Sequence, residues 1–290
     1  MNLRKGKIVR QHIRIVCNLM GDIRKKVDLS IKYGDFFNSL RNCFNVVDIY
    51  ADSLRGPAKY WNAAQVFSIL IHQWKKHFFK NVSAFSKRSR ETNVYYQTFQ
   101  GPKDVVLQLG AMYDSTSEDG IWSVGLYTDN TLYITSHNLK SGRNPFKSTE
   151  LHEWTGREEK FYQHTFHICT RSRIMKCSLI EDYGISGGKI SVIGGGVNFS
   201  KLPEFVKREA RSNQTLLFVG MDFCRNGGDL ALLAFNRVRK SFSSAQLIIF
   251  TKNQIPKGLS LSGVRVLEPV WNRSEKKLFQ GGCIYNASSL

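Results

Sequence analysis

The chain is short of acid. Its 290 residues carry 42 Lys and Arg against 23 Asp and Glu, a formal net charge of +19. The deficit is uneven, because residues 1–103 hold 19 basic and 6 acidic side chains, a net of +13. A basic half of this kind either meets something acidic (lipid headgroups, nucleic acid or an acidic polymer) or is plain solvated surface. Long apolar runs are also missing. The longest candidates, Val66–Ile71 and Gln246–Phe250, are core-sized, well below the ~18 residues that read as a membrane span. No apolar stretch follows the basic start Met1 to Lys7, so no secretory leader is expected and a cytoplasmic place is. The six cysteines (Cys17, Cys43, Cys169, Cys177, Cys224, Cys283) show no Cys-x-x-Cys spacing, and reduced, buried thiols are expected. His164 and His167 stand close to Cys169 but fit no common zinc spacing, so no metal is expected. Short-period repeats and low-complexity tracts are lacking.

What is present suits a folded chain. At 42% hydrophobic and 12% aromatic, the composition can supply one large core or two smaller ones. The stretches 12–17, 45–50, 104–110, 123–127 and 165–169 read as strands, each apolar or β-branched, with Asn18–Asp22 a loop after the first. Residues 28–40, 61–79 and 152–161 carry helical spacing, and Gly56-Pro57 reads as a turn. Strands alternating with helices predict a doubly wound α/β architecture. The charged stretch 199–213 reads as a linker, which divides the chain into domains at 1–200 and 206–290.

One segment carries more chemistry than the rest. Leu216–Val219 predicts a buried strand that runs through Gly220 into a loop delivering Gly227 and Gly228 to a helix start. Amides at such a start face outward unpaired, and the helix macrodipole adds partial positive charge, an arrangement suited to a diphosphate. A plain αβ crossover with a glycine-rich corner accounts for the same residues.

Around this loop lie Ser178–Ile185 with its Tyr-Gly-Ile ending, Lys189–Phe199 with Gly-Val-Asn198, Ala245–Phe250 and Gly263–Val270. In this order they resemble the second half of retaining glycosyltransferases of the GT-B fold, family 4 type. The resemblance covers about 104–270. It implies two Rossmann-like domains facing a cleft, the second one incomplete here. It also implies transfer of a sugar from a UDP-, GDP- or ADP-sugar to a glycan or lipid-linked acceptor, with retention and without a cofactor or metal. The donor-binding positions it implies are Gly21, Gly196, Asn198, Gly220, Arg225, Asn226, Gly227 and Gly228.

Three departures accompany the match. Met221 stands where the family carries an arginine, and Asn226 where it carries a lysine. Those cations stabilise the leaving diphosphate, and loss of one such donor typically costs ~3–4 kcal/mol in the transition state. Arg225 is the neighbouring candidate for partial replacement, although its fork is longer and aimed differently. The third departure is at the end, where Cys283–Leu290 resembles the strand that precedes an acidic sugar- and ribose-binding motif in the family. A catalytically impaired relative that binds an anionic membrane or acidic partner is therefore the alternative reading.

Asp129, just beyond the strand 123–127, is the catalytic candidate. It is a carboxylate near the acceptor hydroxyl, or else a loop-capping Asx residue. Retention requires no protein base if the leaving phosphate takes the proton. The stretch Trp154, Glu159, Tyr162 reads as interdomain packing, and Gly194–Asn198 as a donor approach or a simple turn. Lys75, Lys76, Lys80, Lys87, Arg88 and Arg90 interleave with aromatics without an acid. They read as a peripheral site on the inner face of an anionic membrane or as solvated surface. Nucleic acid is disfavoured, because no nucleic-acid module accompanies them.

Overall fold

The computed structural model describes residues 13–101, 103–116, 121–137, 146, 148–196, 214–252 and 254–268. The chain divides into two compact units, Met1–Gly196 and Val197–Leu290. The linker 199–213, Asn198 and the segment 283–290 lie outside the described residues.

Unit 1 contains strands β1 (Arg14–Met20), β2 (Asn45–Asp52), β3 (Val105–Leu109), β4 (Ser123–Thr128), β5 (His167–Thr170) and β6 (Ile190–Val192). They form one sheet in the order β2-β1-β3-β4-β5-β6, every pair parallel. Helices are α1 (Val27–Cys43), α2 (Gly56–Gln65), α3 (Ile71–Phe79), α4 (Val82–Thr98), α5 (Leu132–His137), α6 (Ser148–His164) and α7 (Arg173–Glu181). Strand alternation sorts the core into two layers. Ile15, Cys17 and Leu19 of β1 meet Phe37 on α1. Val16, Val106 and Leu126 belong to the layer that holds Tyr96 of α4 and Phe161 and Tyr162 of α6. The expected doubly wound α/β class is what the chain adopts. The Tyr-Gly-Ile ending has a local cause: Gly184 sits at φ +63°, its N–H donates to Ile180 O, and Ile185 N–H donates to Leu179 O. That closes α7 with a left-handed glycine cap.

Several expectations need correction. Asn18–Met20 continue the first strand, and the loop begins at Gly21. Gly56-Pro57 opens α2, because proline is tolerated in a first helical turn where its missing N–H has no partner to lose. The helix expected over 61–79 is two helices. The amide of the fully buried Asn62 donates to Phe78 O (3.0 Å) and accepts from Asn81 (2.9 Å), which folds α3 back on α2. Val66 and Phe67 close the first helix with bonds to Asn62 O and Ala64 O. Helix α4, unrecognised in the sequence, is capped by Asn81, whose side chain accepts from Ala84 N–H at 2.8 Å.

Unit 2 holds β7 (Thr215–Val219), α8 (Gly228–Ser241), β8 (Gln246–Phe250) and β9 (Val264–Leu267). Its three strands are parallel in the order β7-β8-β9. The core is Phe223, Leu232, Phe235, Ala245, Leu247 and Ile249. Among the described residues β7 is an edge strand with Leu216 and Val219 exposed, which corrects the buried strand expected over Leu216–Val219, whereas the central β8 is buried. The cysteines are also less buried than expected. Of those described, Cys17 is buried, its thiol pushed up to about 12 by desolvation, while Cys43, Cys177 and Cys224 are exposed.

Candidate functional site

In an open parallel sheet ligands gather beyond the carboxyl ends of the strands, most of all where chain order reverses. In unit 1 the order reverses between β1 and β3. The first residue past β1 is Gly21, at φ +94°. A side chain there would meet Leu29 Cδ1 at 2.9 Å, and the Gly21 N–H donates to Asp52 O at 2.7 Å. The first residue past β3 is Gly110, at φ +83°, with open space where a Cβ would stand. Gly110 was no candidate in the sequence, although a glycine directly after an apolar strand was the available signal.

Asp129 directly follows β4 and is half exposed. Arg171 directly follows β5, and its Nη1 lies 3.7 Å from Asp129 Oδ2. The guanidinium of Arg171 covers Gly195, just past β6, where an added Cβ would stand 2.4 Å from Nη2. The ends of three adjacent strands thus assemble a carboxylate, a cation and a glycine that gives the cation room. Gly196 is exposed with open space around it. Arg171 escaped the sequence reading because its role depends on the strand pairing that puts it beside Asp129. As an exposed pair, Asp129 and Arg171 contribute ~0–1 kcal/mol to stability, so their value lies in orientation.

Behind Asp129 lies a buried network. Glu158 of α6 is fully enclosed; its Oε2 accepts from Leu132 N–H (3.0 Å) and Tyr183 Oη (2.6 Å), and its Oε1 from Trp154 Nε1 (3.2 Å). Leu132 is the first residue of α5, so Glu158 caps the helix that follows the Asp129 loop. Tyr183 Oη also accepts from Tyr133 N–H at 3.2 Å. Burial raises the carboxyl's pKa, against these hydrogen bonds, which lower it. The interdomain role expected of this stretch is corrected: Trp154 and Tyr162 are buried in cores of unit 1, and Glu158, not the exposed Glu159, is the residue that organises the loop.

In unit 2 the loop after β7 brings Gly220, Arg225, Asn226, Gly227 and Gly228 together. Gly227 is the N-cap of α8 at φ +82°, and a Cβ on Gly228 would lie 2.3 Å from the ring of buried Phe223. Both glycines are required by the turn. Their amides are not left unpaired, however. Gly228 N–H donates to Phe223 O (2.7 Å), Gly227 N–H to Cys224 O (3.1 Å) and Asn226 N–H to Asp222 O (2.9 Å). Arg225 Nε is held by Asp222 Oδ2 at 3.2 Å, and Asp222 N–H donates to Asn226 Oδ1 at 3.1 Å. The loop is closed on itself around Asp222, which the sequence reading did not weigh. Asp229 adds a second acid in the first turn of α8, where the macrodipole favours negative charge.

The expected cationic surface is only partly one. Lys75 and Arg90 are exposed and Lys76, Lys80 and Lys87 half-buried, while Arg88 is 2% exposed and faces Asp52. Arg88 is corrected to a core residue.

No protein-family model matches the chain, and no curated protein sequence does. Solved structures do resemble it. The glycosyltransferase SnogD from Streptomyces nogalater is similar at 12% identity and TM-score 0.35, over 89% of this chain and 72% of that one. UGT2 of Phytolacca americana, solved with UDP-2-fluoro-glucose and pterostilbene, is similar at 11% identity and TM-score 0.49, over 93% and 74%. S. aureus MnaA, solved with UDP, is similar at 10% identity and TM-score 0.40, over 89% and 69%.

Proposed function

We propose that the chain is a glycosyltransferase of the GT-B kind, which transfers a sugar from a nucleotide-sugar to a glycan or lipid-linked acceptor with retained configuration. The observation that carries this reading is the β7–loop–α8 turn, where Gly227 needs its left-handed backbone and Gly228 has no room for a side chain. Those are the positions at which this sequence resembles the donor loop of family 4. The donor diphosphate is assigned to the start of α8, with Arg225 as the cation that the loop itself carries. Asp129, oriented by Arg171, is assigned to the acceptor hydroxyl as a hydrogen-bond acceptor, and Glu158 to positioning the Asp129 loop. The departing phosphate takes the hydroxyl proton, so no protein base is needed.

A second reading is favoured by one observation. The amides of Gly227 and Gly228 are engaged inside the loop, and Arg225 is tied to Asp222. With Met221 and Asn226 beside them, this describes a weak diphosphate site and a transferase-like protein of impaired turnover. Single-turnover assays with UDP-, GDP- and ADP-sugars discriminate the two. Release of one nucleoside diphosphate, reduced in Asp129→Asn, is the outcome expected of an enzyme. Binding of a nucleoside diphosphate without release would establish the impaired form. No binding of any of the three at millimolar concentration would end both assignments of the α8 loop.

A further inference from the structure

The strongest unassigned feature is the hairpin of α2 and α3. Between Asp52 and Glu91 the sequence has no acidic residue and eight Lys or Arg. At the connection of the two helices, four apolar side chains stand in solvent: Phe67 at 70%, Ile69 at 89%, Leu70 at 60% and Ile71 at 63% exposure. Trp61 on α2 is exposed as well. A single exposed leucine needs no explanation, but a contiguous apolar tip on a cationic base does.

The exposure is built in. Trp74 Nε1 donates to Ala63 O at 2.9 Å, and the Phe67 and Trp74 rings meet edge to face at 6.0 Å. Asn62 and Asn81 lock the base of the hairpin against α4. These bonds fix the two helices while leaving the tip outward. Part of the tip backbone is paired within the hairpin, which lowers the cost of taking it out of water. Val66 and Phe67 N–H donate to Asn62 O and Ala64 O, Leu70 N–H donates to Ser68 Oγ, and Leu70 O accepts from Trp74 N–H.

We infer that this hairpin docks the protein on an anionic lipid bilayer, with Phe67, Ile69, Leu70 and Ile71 inserted below the headgroups and Lys59, Lys75 and Lys76 among the phosphates. A second copy of the chain is a poor occupant, because a symmetric contact would set two acid-free cationic surfaces against each other. A bilayer supplies both the apolar phase and the negative charge. The inference differs from a purely electrostatic surface over 75–90, since it places the apolar tip at the centre and excludes Arg88. It does not depend on the transferase reading.

The test is sedimentation of the full chain with phosphatidylcholine vesicles and with vesicles containing 30% phosphatidylglycerol. The wild type binds only the anionic vesicles. Phe67→Ser/Ile69→Ser/Leu70→Ser loses binding by about a hundredfold or more, because it removes the inserted apolar surface. Lys59→Gln/Lys75→Gln/Lys76→Gln loses roughly a hundredfold, at about fivefold per surface cation. The substituted side chains are mostly solvent-facing, and an unchanged thermal transition confirms folding. A separate single variant, Ile69→Ser, replaces one side chain that is 89% exposed, and lowers binding in the same direction. Quenching of tryptophan by brominated lipid is expected in the wild type, from Trp74 against the Phe67 ring. Wild-type binding that survives the triple tip substitution overturns the inference. So does equal capture of wild type and tip variant on heparin with no binding to anionic vesicles, which would mark the surface as a site for acidic polymers.

Discussion

Arg88 Nε stands 3.9 Å from Asp52 Oδ2, with both side chains sealed from solvent. Among the described residues neither Asp52 oxygen makes a hydrogen bond, and Arg88 Nη1 donates instead to Phe79 O at 2.9 Å. The pair is therefore held by charge across a gap, at the carboxyl end of β2 where the Gly21 loop is also tied. Removing one partner leaves the other charge buried alone, which typically costs ~3–5 kcal/mol. At pH 8.5, where Asp52 is ionised, Arg88→Met is expected to lower the urea midpoint of unit 1 accordingly, followed by tryptophan fluorescence. Asp52→Asn/Arg88→Met recovers most of the loss. A double variant no more stable than Arg88→Met would show that the two charges do not depend on each other.

The same pair sets a pH dependence. Burial pushes the Asp52 carboxyl up to about 7, against the pull of Arg88, from 3.8 unperturbed. Because the folded state holds the proton more tightly than the unfolded chain, the resulting stability is fully present below about pH 4. It is lost as pH rises through about 7. The difference in stability between wild type and Asp52→Asn should therefore be flat below pH 4, then fall by up to about 1.4 kcal/mol per pH unit, and level off above 7. Denaturation curves from pH 4 to 8.5 read it directly. A constant difference across that range would mean that Asp52 is ionised throughout.

Glu158 supplies a prediction closer to chemistry. Its three hydrogen bonds hold the start of α5 and Tyr183, and so the loop that presents Asp129. Glu158→Ala leaves Leu132 N–H, Trp154 Nε1 and Tyr183 Oη without this acceptor, with a loss of ~1–3 kcal/mol for each buried group left unpaired. Tyr183→Phe removes two bonds, the one to Glu158 Oε2 and the one from Tyr133 N–H, and should cost about 1–3 kcal/mol. If Glu158 positions the acceptor side, Tyr183→Phe raises KM for the acceptor more than it lowers kcat. Equal effects on donor and acceptor constants would assign Glu158 to stability alone.

The sequence made the strands legible because a parallel sheet buries both faces, and runs such as Val105–Leu109 and Gln246–Phe250 are nearly all apolar. The glycine-rich helix start after β7 was legible because φ above zero demands glycine. What escaped depended on partners distant in sequence. Arg88 looks like one more surface cation until β2 brings Asp52 beside it. Arg171 looks ordinary until β4 and β5 pair. The break at Val66–Leu70 was hidden because consecutive apolar residues fit a buried helix as well as an exposed tip, and Asn62 decides between them through bonds to Phe78 and Asn81. The closure of the 220–228 loop on Phe223 O and Cys224 O follows from a turn geometry that no residue spacing encodes.

That closure shapes the last prediction. Asp222 holds Arg225 by its carboxylate and Asn226 by its N–H, so the one cation at the expected donor loop is already neutralised. Asp222→Asn should release Arg225 and remove a negative charge from the place assigned to the diphosphate. Met221→Arg and Asn226→Lys then restore the cations that the family resemblance calls for. Lysine at 226 cannot accept the Asp222 N–H bond that Asn226 now accepts, so the loop is expected to loosen, and a thermal transition of the variant controls for that. Each well-aligned charged hydrogen bond contributes ~1.5–3 kcal/mol. Calorimetry with UDP and GDP should find Asp222→Asn tighter than wild type, and the triple variant tighter again by at least tenfold. The order matters, because a gain confined to the triple variant would mean that Arg225 points away from the diphosphate. Equal affinity in all three proteins would mean that the loop after β7 holds no donor, and the transferase reading would fall while the parallel α/β fold stands.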